Sequence, residues 1–139
     1  MLCVMPAKKK PERPKNPETL SVDAKRILAR VGEGGGVSFV ELHELFPDQG
    51  PLMWEMGAPN VILWAGMSQK FVDAMQEARP YLDINPCHVL VYVADGSMLQ
   101  MPIVTEITKA GFKKPHWLPV TFSVKPEFVK ELRNLTPAQ

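Results

Sequence analysis

The sequence predicts an α+β fold: three to four helices with a small antiparallel β-hairpin or sheet. Apolar residues recur at helical spacing in the first half, as in Ala24, Ile27, Leu28 and Val31. After Leu82 the period changes to two, with Val89, Val91 and Val93 alternating with Leu90, Tyr92 and Ala94. The length of 139 residues fits one domain and is enough to bury a core, and 45% hydrophobic with 22% charged residues is ordinary globular composition.

Residues 1–17 read as a flexible, basic, proline-rich arm, because prolines forbid a helix and no apolar period runs through them. Residues 18–133 read as one domain and 134–139 as a frayed tail. Ser21 is placed to cap a helix that runs to about Val31, with Gly32 and Gly34–Gly36 supplying a left-handed terminus. No Gly-Lys-Ser/Thr follows that glycine cluster, so it is not a phosphate loop. Ser38 and Glu41 form a capping box for a second helix, which buries Phe39, Leu42, Leu45 and Phe46 and stops at Pro47. His43 beside Glu44 is read as part of a solvated face, since adjacent helical residues cannot face one ion.

Asp48–Pro59 reads as a loop carrying Met53, Trp54 and Met56, and Val61–Trp64 as a short helix capped by Asn60. Ser68 opens the strongest helix, which ends at Pro80; Phe71, Val72, Met75 and Ala78 form its apolar stripe. The alternating run after Leu82 reads as a strand turning at Asp95-Gly96. Met98–Val104 would be the return strand, Trp117–Val124 a third strand, and Pro126 to about Leu132 a last helix.

Charge is divided along the chain. Residues 1–15 carry five basic residues against one acid, residues 31–104 two against nine, and residues 105–139 six against three. The ends are basic and the middle acidic; the arm reads as a solvated linker or, beside a second binding surface, as a contact for phosphates.

Around Gly66 the sequence resembles the helix-turn-helix family. Gly66 stands where that family turns between helices, and Val61, Ala65, Met67, Val72 and Met75 stand where it packs them. Ser68 stands where a small hydroxyl residue opens the second helix. Ile62 departs from the pattern, which prefers a small residue there. With the order of elements, this implies a winged-helix-type domain and a regulatory DNA-binding protein. Ser68, Gln69, Lys70, Asp73 and Gln76 would face the major groove. Lys8, Lys9 and Lys10 of the arm, with Lys109, Lys113 and Lys114, would contact phosphates, which requires arm, helix start and lysine loop to share one face. The alternative is a protein-interaction module on the same frame, using an acidic surface with Met53, Trp54 and Met56.

Other classes find little support. Cys87-His88 falls on the expected strand, where neighbours point to opposite faces, so nucleophile and base would be separated. The two cysteines lack metal spacing, and Cys3 lies in the arm, which argues against a structural disulfide. The expectation is therefore no enzyme, no cofactor and no metal. Met1–Val4 is too short for a signal-peptide core, and no apolar run spans a bilayer, so the expected location is cytoplasmic, with no membrane partner. A homodimer is compatible with the class.

Overall fold

The computed structural model describes residues 3–4, 19–55, 58–105 and 110–133. Helix α1 (Val22–Glu33) begins where expected, with Ser21 Oγ accepting from the Ala24 amide at 3.1 Å. It buries Ala24, Ile27, Leu28 and Val31; each larger aliphatic side chain stabilises by about 1.5–3 kcal/mol. Its end differs from expectation. Gly32 lies inside the helix and Gly34 is extended, so the left-handed residue is Gly36, at φ 77°.

Strand β2 (Val37–Ser38) leads into helix α2 (Phe39–His43), which starts with the expected capping box: Ser38 accepts from the Glu41 amide, and the Glu41 carboxylate accepts from the Ser38 amide.

Two sequence expectations fail together in the next stretch. The expected loop contains strand β3 (Gln49–Glu55), and the expected Val61–Trp64 helix is the start of strand β4 (Val61–Met67). They pair antiparallel, with Trp54 opposite Trp64 and Glu55 opposite Ile62. Val61, Ile62, Leu63 and Trp64 are all buried, so β4 is covered on both faces and shows no alternation. A continuous apolar run of that length carries no period to distinguish strand from helix. In β3, Gly50 and Pro51 disguise the strand. Gly50 is needed because a Cβ there would overlap the Met67 carbonyl. Gly66, at φ 71°, is not a turn between helices. It sits in β4 beside an irregular register in which Met67 opposes both Gln49 and Leu52.

Helix α3 (Gln69–Ala78) matches expectation, with Ser68 Oγ accepting from the Phe71 amide at 3.2 Å. A 3₁₀ turn, Arg79–Tyr81, leads into strand β5 (Leu82–Pro86). The expected strand through Val89, Val91 and Val93 is instead helix α4 (Leu90–Asp95), and Gly96 is its left-handed C-cap rather than a hairpin turn. The apolar run Val89–Ala94 fits either period, and in the helix Tyr92 is the buried residue. The expected return strand over Met98–Val104 contributes one bridge, Ile103 beside Trp117. The expected third strand divides into β6 (His116–Trp117) and β7 (Val120–Val124). A 3₁₀ turn, Pro126–Phe128, and helix α5 (Val129–Arg133) follow.

The strands form two sheets. One, in the order β1 (Cys3–Val4)-β3-β4-β6, is mixed, with β1 parallel to β3 and β4 parallel to β6. The other, in the order β2-β7-β5, is wholly antiparallel. Phe39 joins them: its ring lies 5.8 Å from Trp64 in the first sheet, 4.9 Å from Phe122 in the second and 6.4 Å from Phe71 in α3. Among the described residues no helix is long and apolar enough to cross a membrane.

Candidate nucleic-acid interface

Helix α3 divides cleanly. Phe71, Val72, Ala74, Met75 and Ala78 are buried, while Gln69, Lys70, Asp73 and Gln76 are exposed. The same spacing that makes the inner stripe apolar leaves these four polar side chains on the outer face. The inner stripe seats Phe71 against α2, with its ring 5.2 Å from Phe46 and 5.2 Å from His43. This contact joins α2 and α3; the expected partner of α3 across Gly66, Val61–Trp64, is a strand.

The outer face is polar and internally bonded. Gln69 Nε2 donates to Asp73 Oδ1 at 2.8 Å, one helical turn along. Lys70 Nζ lies 3.9 Å from Asp23 on α1. Glu77, beside the outer face, accepts from the Ser21 amide at 3.0 Å and from Ser21 Oγ at 2.7 Å. The start of α1 is thus bound to α3 next to the candidate reading surface. Ser68 is committed to the helix cap. The face as a whole carries no surplus of positive charge.

The lysine loop lies elsewhere. Lys113 and Lys114 are exposed beside the first end of β4: the Phe112 amide donates to the Pro59 carbonyl, Asn60 Nδ2 to the Phe112 carbonyl, and the His116 amide to the Asn60 carbonyl. The Phe112 and His116 rings stack 4.1 Å apart. Helix α3 starts at the other end of β4, seven residues on, or about 23 Å at strand rise. The structure does not bring Lys113 and Lys114 together with Gln69 and Lys70. Lys8, Lys9, Lys10 and Lys109 lie outside the described residues. Of the side chains expected on an alternative protein-binding surface, Trp54 is core, Met53 is half-buried, and Met56 lies outside the described residues.

Two polar groups went unread in the sequence. His43 was expected in water, but its Nδ1 accepts from Trp64 Nε1 at 3.0 Å. Its Nε2 is buried, and the Asp48 backbone acts on the ring. Burial holds the imidazole below its usual range, against the opposing pull of that backbone. Tyr92 is the second. Its hydroxyl accepts from the Phe39 amide at 3.0 Å and donates to the Val120 carbonyl at 2.6 Å. Ser38 Oγ also donates to Asp95, so α4 is fastened to the start of α2 twice. The alternating pattern that suggested a strand concealed both contacts.

Cys87 is half-buried, outside any strand, and burial followed by the nearby Asp95 carboxylate pushes its thiol up, away from thiolate reactivity. His88 Nδ1 accepts from the Leu90 amide at 3.1 Å. Among the described residues no three His, Cys, Asp or Glu side chains are grouped to hold a metal ion. A groove of about 380 Å³ between α1, β7 and α5 is lined chiefly by Leu28, Val31, Val124, Val129 and Leu132, with Glu33 and Ser123 at its walls.

No family model matches the chain, and no curated protein or solved structure is detectably similar to it.

Proposed function

We propose that the chain is a regulatory DNA-binding protein on a winged-helix-type frame, presenting α3 to the major groove of duplex DNA. The observation that carries this reading is the division of α3. It packs through Phe71 on His43 of α2 and leaves Gln69, Lys70, Asp73 and Gln76 outward on a capped helix. Element order supports the same frame. Helices α1, α2 and α3 precede the antiparallel pair β5–β7, and β2 completes that sheet. The β3–β4 hairpin stands between α2 and α3.

Electrostatics constrain the reading. Lys70 lies 3.9 Å from Asp23 and Asp73 adds a negative charge, so α3 supplies contacts to bases and little attraction to phosphates. That attraction falls to the arm. At one end of the arm Ser21 is bonded to Glu77 of α3; at the other, Cys3–Val4 pair with Trp54–Glu55 of β3. Lys113 and Lys114, at the far end of β4, are not part of this surface.

The test is fluorescence anisotropy with duplex DNA at increasing salt. Affinity falls steeply with salt, and replacing Lys8, Lys9 and Lys10 together by Glu weakens binding to every duplex alike. Absence of salt-sensitive binding at low ionic strength overturns the proposal.

A second reading, a protein-interaction module, is favoured by one observation. Leu90, Val93, Met98 and Ile103 are large apolar side chains exposed along the β5–β6 connection. On that reading Leu90→Asp with Val93→Asp abolishes self-association in sedimentation. On the DNA reading the pair leaves duplex affinity unchanged.

A further inference from the structure

We propose that Asp73 is a positioning residue that sets the base preference of Gln69, and that the preferred base is adenine. This rests on the DNA reading above.

An ionised carboxylate only accepts hydrogen bonds, so the 2.8 Å contact with Asp73 Oδ1 fixes the amide end of Gln69 toward Asp73. Gln69 keeps one further N–H and its Oε1, a donor and an acceptor side by side. Adenine offers the matching pair in the major groove, an N7 acceptor and an N6 donor. Guanine offers two acceptors there, and its O6 would oppose Gln69 Oε1. Without Asp73 the exposed Gln69 side chain rotates freely, and its donor and acceptor are no longer held in a fixed orientation.

The same carboxylate repels phosphates. Lys70, the one cation among the described residues of α3, lies 3.9 Å from a different acid, Asp23, and so does not neutralise Asp73. Asp73 therefore acts on affinity and on discrimination in opposite directions. A residue that merely stabilised the helix would change both in the same direction.

The experiment selects binding sites from a randomised duplex pool with the full chain and with Gln69→Ala, Asp73→Ala and Asp73→Asn. Circular dichroism confirms that each variant folds, as expected for exposed positions. The base read by Gln69 is the position whose preference disappears in Gln69→Ala. The expected base there is adenine, preferred over guanine about tenfold or more. Asp73→Ala binds unselected duplex more tightly and loses that preference. Asp73→Asn also gains affinity but keeps the preference, because its side-chain carbonyl still accepts from Gln69. Guanine at that position, or a preference that survives Asp73→Ala, overturns the inference and leaves the DNA reading standing. Failure of the full chain to bind any duplex at low salt overturns both.

Discussion

The hydroxyl of Tyr92 ties together three elements that are distant in sequence. It sits on α4, accepts from the first amide of α2 and donates to a carbonyl of β7. Burial pushes its ionisation well above the ordinary tyrosine range, so it remains a neutral donor at any ordinary pH. Tyr92→Phe leaves the Phe39 amide and the Val120 carbonyl buried without that partner, a cost of roughly 2–4 kcal/mol. Urea denaturation measures this directly, and a loss below half a kilocalorie would show that water or a shifted backbone satisfies both groups. His43 makes a different prediction. Burial lowers its pKa in the fold below the usual histidine range, so the unfolded chain takes up the proton first as pH falls. The contribution is fully present above the unfolded pKa and is lost as pH drops from about 6.5 toward the folded value. His43→Gln retains an acceptor for Trp64 and cannot titrate. The variant is expected to lose less stability between pH 7 and 5 than the parent, and equal losses in chemical denaturation would contradict this.

Elements show which local signals survive tertiary context. The helices with caps were legible: Ser21, Ser38 and Ser68 each accept from an amide three residues on, as their positions suggested. Ser68→Ala is expected to cost about 1 kcal/mol in thermal or urea unfolding without altering the fold. The β-strands were harder. Val61–Trp64 is apolar at every position because both of its faces are covered, so it carries neither period. Val89–Ala94 alternates by residue type, yet Leu90–Asp95 folds as a helix in which Tyr92 reaches α2 and β7. Gly66 is expected in a turn where the backbone reverses without a Cβ clash; it is left-handed, but it stands in β4. Gly66→Ala puts a side chain at φ 71°, against Gln49, at a cost of about 1–2 kcal/mol. Its effect appears in the β3–β4 pairing. Hydrogen exchange of Gln49–Glu55 amides would quicken in this variant while α3 amides keep their protection; loss of protection confined to α3 would restore the helix-turn reading of Gly66.

Across the whole molecule, the placement of charge governs the function proposed. The sequence divides the chain into basic ends and an acidic middle, and that much needed no structure. Where each charge stands did need it. Asp23 faces Lys70 because α1 packs along α3, and Glu77 holds Ser21, contacts between residues 47 and 56 positions apart. The candidate reading helix was legible because its stripe and cap are local. The separation of Lys113 and Lys114 from it was not, because it depends on β4 being a strand rather than a helix. The most direct test is therefore to map where duplex DNA touches the folded chain, by amide chemical-shift changes on adding a salt-sensitive duplex. The largest changes are expected at Ser68–Gln76 and at Ser21–Asp23. Changes confined to Leu90–Ile103 or to Lys113–Lys114, with α3 unmoved, would contradict the account.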